Sequence, residues 1–234
     1  MIDYDLAIGV LWYFAFLLSV VVHEASHAFV AMKLGDRTAY EGGQVTLDPI
    51  PHIKREPIGT VAVPLFTFLT AGWMIGWASA PYDRQWARTY PQRSAWMALA
   101  GPASNLLMVL LCALLIRLGT AFDIFYAPES INFSRITVSY HDGTPAGIAT
   151  MLSILFSLNL ILFVFNLLPI PPLDGSGAIP LLLSREKSHR YMDFLENTPM
   201  LYLGLFLAWK IFDQVFDPIH LLFVNLLYPG IGYQ

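Results

Sequence analysis

Five stretches of this chain are too long and too apolar to sit exposed in water: residues 6–34, 57–80, 94–118, 146–168 and 200–228. Crossing the roughly 30 Å hydrocarbon core of a bilayer as a helix takes about 20 such residues, and each run reaches that length. Composition agrees. Charged residues make up 13% of the 234, about half the share of a soluble domain, too few to clothe a water-facing surface. A soluble globular enzyme and a disordered chain are both excluded. The formal charge is 13 − 17 = −4, and no basic run exceeds two residues, so there is no footprint for a nucleic-acid partner. The single cysteine, Cys112, lies in an apolar run and reads as a small packed hydrophobe.

The runs differ in texture. Residues 6–34 form one uninterrupted stretch, too long for a signal peptide and bearing His23, Glu24 and His27. Residues 57–80 are punctuated by Pro57, Gly59, Pro64, Gly72 and Gly76, and 200–228 by Asp217-Pro218, with Lys210 inside. The polar connections are 35–56, 81–93, 119–145 and 175–199. The alternation over 131–138 predicts a short strand, and 119–145 as a whole reads more readily as a spacer than as a substrate gate. No repeat or attached soluble module is visible. The expectation is one membrane-embedded domain, 1–234: an all-α polytopic membrane protein with a lipid bilayer as its surroundings.

His23-Glu24-Ala25-Ser26-His27 is an H-E-x-x-H motif on a helix. Residues four apart share a face, so both imidazoles can reach one ion, with Glu24 placed as general base. Ionisable groups inside a membrane helix are costly and mark function; the bland alternative is hydrogen bonding to neighbouring helices. A catalytic zinc takes three protein ligands and keeps one position open. A third His six residues on is missing, since Lys33 stands there. His52, His141, His189 and His220 lie in or beside polar connections. Asp174 follows a proline-interrupted stretch, and alone it reads as an Asp-Gly turn.

The second motif resolves this. Asn166-x-x-Pro169-x-x-x-Leu173-Asp174-Gly175, together with the membrane H-E-x-x-H, resembles the site-2 protease family of intramembrane zinc metalloproteases. Val45-Thr46-Leu47-Asp48-Pro49, Pro57-Ile58-Gly59-Thr60, Gly76-Trp77-Ala78 and Ala100-Gly101-Pro102-Ala103-Ser104-Asn105 are similar to family segments. No stretch matches a PDZ or CBS module, so the likeness is to a minimal form. The resemblance implies that His23, His27 and Asp174 bind one zinc ion and that Glu24 is the base. It implies a three-helix core matching 6–34, 94–118 and 146–168, and a transmembrane protein as substrate. Asn166, Asn159 and Asn105 are candidates to hold the substrate oxyanion, with interhelical hydrogen bonding as their alternative. The competing functions are a zinc or divalent-metal transporter and a non-catalytic membrane scaffold.

Sharing one ion also constrains topology. If every run crossed once, 6–34 and 146–168 would run in opposite directions and hold their ligands about 30 Å apart, whereas zinc–ligand bonds are about 2 Å. Residues 57–80 are therefore expected to re-enter or double back. Ten of the thirteen basic residues, all but Arg117, Arg135 and Lys210, then gather at one face. The positive-inside rule makes that face cytoplasmic, with 35–56, 81–93 and 175–198 on it and the active site toward it; the expected setting is the plasma membrane.

Overall fold

The computed structural model describes residues 6–195 and 199–234; the N-terminal residues 1–5 and residues 196–198, on which part of the topological expectation falls, lie outside the described residues. Three long helices make the core: α1 (Leu6–Leu34), α6 (Pro91–Ala121) and α7 (Thr144–Asn166), the three described helices long and apolar enough to cross a membrane. No proline interrupts α1, and it stops at Gly35, which takes φ +112°. Pro91 sits in the first turn of α6 and Pro145 in that of α7, where the missing N–H costs nothing. Small and polar residues face inward, among them Ala15, Ser19, Ala28, Asn105 and Asn159, while Leu107, at 67% exposure, and Leu110, Leu114, Val10 and Phe14 point outward. In water those outward faces would be an aggregation liability; against lipid they are matched.

Contacts fix the directions. His27 meets Met97 and His23 meets Asn105, so α6 runs antiparallel to α1. Ser19 meets Asn159 and His23 meets Asp174, so α7 runs parallel to α1. Since α6 crosses once between them, that parity leaves residues 57–80 an even number of crossings, and the hairpin they form provides it. A π-helical turn (Ile58–Ala62) leads into α4 (Val63–Ala71), together about 20 Å long at 1.5 Å per residue. Gly72, left-handed at φ +77°, caps α4. The chain then returns extended beside its own helix. Thr67 Oγ1 accepts from Ile75 N–H (3.2 Å), and the Gly59 carbonyl accepts from Trp77 N–H (3.1 Å). At the mouth of this hairpin Ser79 Oγ donates to Glu56 Oε1 (2.7 Å). A Cβ on Gly59 would strike the Trp77 backbone and ring, so only glycine permits the closure. The segment is a hairpin that returns to the end it started from, in keeping with the expected even number of crossings.

Between α1 and this hairpin lie α2 (Thr38–Glu41) and α3 (Pro49–Arg55), and α5 (Arg84–Thr89) precedes α6. Buried Asp36 ties two connections together, accepting from Thr38 N–H and Asp83 N–H, each at 2.9 Å. After α7 come the short α8 (Asp174–Ala178), a 3-10 turn (Ile179–Leu182) and α9 (Arg185–Leu195). An Arg88–Asp193 ion pair joins α9 to α5. The connections 35–56, 81–90 and 167–195 thus meet at one end of the bundle.

The final run is a single helix, α10 (Pro199–Leu227), which continues through Pro218 where a break was expected. Phe216 and His220, either side of that proline, both pack on Phe133. Helix α10 lies antiparallel to α7, with Phe212 on Phe165 near one end and the Leu227 carbonyl accepting from Arg117 near the other.

Residues 131–138 do not form the expected strand. The strands are β1 (Phe125–Tyr126) and β2 (Val138–Ser139), antiparallel, with an Asn132–Arg135 turn between them. Ile136 enters the core instead, and Ser153 Oγ of α7 accepts from both Ile136 N–H (3.0 Å) and Thr137 N–H (3.1 Å). Through Phe125 and Ile136 the connection 119–145 packs on the bundle as a cap.

Candidate metal centre

His23, Glu24 and His27 lie on the inner face of α1, all more than nine-tenths buried. Asp174 arrives from the proline-rich stretch after α7, at the start of α8. Gly175 allows this approach, since a Cβ there would meet the carbonyls of Leu167 and Leu168. Three donor atoms converge: His23 Nε2 to His27 Nε2 is 3.0 Å, His23 Nε2 to Asp174 Oδ2 is 3.1 Å, and His27 Nε2 to Asp174 Oδ2 is 3.4 Å. Four ligands about 2.1 Å from an ion at tetrahedral corners stand about 3.4 Å apart, so the triangle is near that size. Among the described residues this is the one group of His, Cys, Asp and Glu side chains able to hold a metal ion.

The protons on the imidazoles are assignable. His23 Nδ1–H donates to Asn105 Oδ1 (2.6 Å), and His27 Nδ1–H donates to the Met97 carbonyl (2.7 Å). With both protons on Nδ1, both Nε2 lone pairs face Asp174 and each other. Three acceptors pressed together at about 3 Å repel unless a cation lies among them. The donor set, two neutral imidazoles and one carboxylate, suits zinc. Asp174 completes that set only as the carboxylate, the form in which it can ligate.

Gly101 of α6 forms the floor of the centre. A Cβ at that position would run into Nε2 of both histidines. Its role was hidden in the sequence within a helix-like Ala-Gly-Pro segment, and only the opposing histidines reveal it. Pro102 lies inside the same helix and lacks an N–H for the Ala98 carbonyl. The neighbouring Met97 carbonyl receives His27.

The asparagines divide. Asn105 and Asn159 are fully buried and bonded to each other: Asn105 Nδ2 donates to Asn159 Oδ1 (2.8 Å), and Asn159 Nδ2 donates to Ser19 Oγ and the Leu155 carbonyl (both 2.8 Å). Asn105 stands behind His23, whose Nδ1 it meets. Asn166, at the end of α7, is half-buried. The Glu24 carboxylate receives no hydrogen bond from a described residue. Beside the centre a groove of about 510 Å³ runs between Val22, Ser26 and Phe29 of α1, Ala103 of α6 and the loop residues Thr46 and Leu47.

The pattern of peptidase family M50 matches residues 12–209. YwhC of Bacillus subtilis is 33% identical over 224 residues, 91% of this chain and 90% of the relative. Rip2 of Mycobacterium tuberculosis is 31% identical over 207 residues, 88% of this chain and 70% of the relative. Both are provisionally named as zinc metalloproteases. No solved structure matches the chain. The chain belongs to peptidase family M50, the site-2 protease family its two motifs resemble, and is an intramembrane zinc metalloprotease.

Proposed function

We propose that one zinc ion is held by His23 Nε2, His27 Nε2 and Asp174 Oδ2, and that the centre hydrolyses peptide bonds within or beside the transmembrane helix of a membrane-protein substrate. The convergence of three acceptor atoms within 3.4 Å, each imidazole donating its one proton elsewhere, carries this reading. A bound zinc would supply Lewis acidity toward the scissile carbonyl and bring the pKa of water in its open position to about 7. Glu24 takes the proton from the attacking water and returns it to the leaving amide nitrogen.

A helix hides its carbonyls in its own hydrogen-bond ladder, so the substrate must be locally unwound before attack. The apolar groove beside Ser26 suits such an extended segment. Asn166, at the rim between α7 and the Asp174 loop, is the remaining candidate donor for the oxyanion; Asn105 and Asn159 act on His23. The basic connections gathered at the metal end favour placing that end at the cytoplasmic face of the plasma membrane.

The test is cleavage of a reporter transmembrane substrate by protein purified in detergent, with zinc measured alongside. One zinc per chain, and cleavage lost on chelation and restored by zinc, is the expected result. Full cleavage by zinc-free protein would reject the reading.

A further inference from the structure

We propose that Asn159, on α7 and two hydrogen bonds away from His23 through Asn105, is a positioning residue that sets which nitrogen of His23 is free to bind metal. The inference rests on the proposed ligation by His23. A carboxamide turned by 180° keeps its shape and exchanges a donor for an acceptor, so Asn105 could present either Oδ1 or Nδ2 to His23. Its other end faces Asn159, whose own orientation is not free. The Leu155 carbonyl can only accept. Ser19 Oγ donates its proton to the Ala15 carbonyl (2.7 Å), so toward Asn159 it too accepts.

Polarity therefore runs one way. The Leu155 carbonyl, and Ser19 Oγ with its own proton given to the Ala15 carbonyl, fix the Asn159 amide nitrogen toward them and its Oδ1 toward Asn105. Asn105 must answer with Nδ2, which turns its Oδ1 to His23. His23 then carries its proton on Nδ1 and presents the Nε2 lone pair to Asp174 and His27. Were Asn105 reversed, its amide would donate to Nδ1, the proton would move to Nε2, and that nitrogen could not ligate. The chain links all three core helices, since Ser19 is on α1, Asn159 on α7 and Asn105 on α6.

The decisive experiment measures zinc affinity of the detergent-purified protein by competition with a chromophoric chelator. The visible absorption of the cobalt-substituted protein is recorded beside it, and circular dichroism reports the fold. Asn159→Leu should weaken zinc binding by about 10–100-fold, the usual cost of losing a partner that orients a ligand. Asn105→Asp added to it should restore affinity and the tetrahedral cobalt bands, because either carboxylate oxygen accepts from Nδ1 and no upstream polarity is needed. A role in packing alone predicts the reverse, since the second change buries another charge. A loss below tenfold in Asn159→Leu, or a double variant binding no tighter than that single one, would overturn the proposal. Should Asn159→Leu fail to fold, Asn159→Ala carries the same two expectations. His23→Ala is read separately: unchanged zinc affinity there would defeat the ligand assignment itself, whatever Asn159 does.

Discussion

The two ends of the helical bundle solve the same problem with opposite results. Both bury polar groups among apolar helices. At the capped end, donors are matched to acceptors on other elements: Trp12 Nε1 donates to Ser134 Oγ, two loop amides donate to Ser153 Oγ, Arg117 donates to the Leu227 carbonyl, and Tyr233 Oη donates to the Pro128 carbonyl. Each bond joins two elements and does nothing more. At the other end, the same kind of network begins at backbone carbonyls and runs through two asparagines, but it stops at His23 Nε2, opposite His27 Nε2 and Asp174 with no proton between them. Donors paired with acceptors mark packing, and convergent acceptors without a donor mark a group that could hold a metal ion. The contrast makes a division testable: changes at the metal end should alter zinc and turnover, and changes at the capped end should alter stability alone.

The largest effect belongs to Glu24→Gln. It removes a base and no ligand, so cleavage should fall by about 10²–10⁴-fold while one zinc per chain remains. Zinc loss in this variant would mean that Glu24 ligates. His23→Ala, His27→Ala and Asp174→Ala should each lose both zinc and cleavage; retention of both by Asp174→Ala would break the three-ligand assignment.

Gly101→Ala sharpens the division further. Alanine favours a helix over glycine by about 1 kcal/mol, yet its Cβ would press on Nε2 of both histidines. Zinc affinity should drop by at least about tenfold, as for damage to a ligand's immediate support, with helical content unchanged. Unaltered zinc binding would show that the histidines do not sit against α6.

Topology tests the same two ends from outside. In a Cys112→Ser background, cysteines at 45 and 88 should label from one side of the membrane and a cysteine at 131 from the other. Labelling of 45 and 88 from opposite sides would contradict the Trp77–Gly59 closure of the hairpin.

Much of this was legible in the sequence because membrane helices obey few rules. Helix α1 runs over 6–34 as expected. Helix α6 begins three residues before the expected 94, because Pro91 can open a helix while Gln92 and Arg93 lie beyond any hydropathy signal. The re-entrant turn was legible through chemistry: ligands on two parallel helices leave no other parity. What stayed hidden depends on which face meets which. Asn105 and Asn159 are polar residues in apolar helices, and spacing alone does not distinguish an oxyanion donor from a histidine's partner. The alternation at 131–138 mimicked a strand, but Ile136 is buried by α7 rather than by a neighbouring strand.

At the capped end the largest expected effect is Ser153→Ala, which leaves the buried amides of Ile136 and Thr137 without their acceptor. An unsatisfied buried group costs about 1–3 kcal/mol, so resistance to unfolding in an SDS titration should fall by that order, with zinc affinity unchanged. Altered zinc binding would mean that the cap and the metal centre are coupled through α7.

Tyr233→Phe is the mildest change and the cleanest separation. It deletes one hydroxyl, whose bond to the Pro128 carbonyl is 2.5 Å long. The backbone of Tyr233 stays tied to α10, because Asn225 Oδ1 accepts from its N–H and Asn225 Nδ2 donates to its carbonyl. Only the link between the chain after α10 and the 119–145 cap is cut. A single neutral hydrogen bond contributes about 0.5–1.5 kcal/mol, and this one is partly open to solvent, so the loss should lie at the low end. Zinc affinity and cleavage should match the parent protein. Tyr233 lies at the end of the bundle opposite His23, so even a threefold change in zinc affinity would show that the cap reaches the metal centre and would erase the division between the two ends.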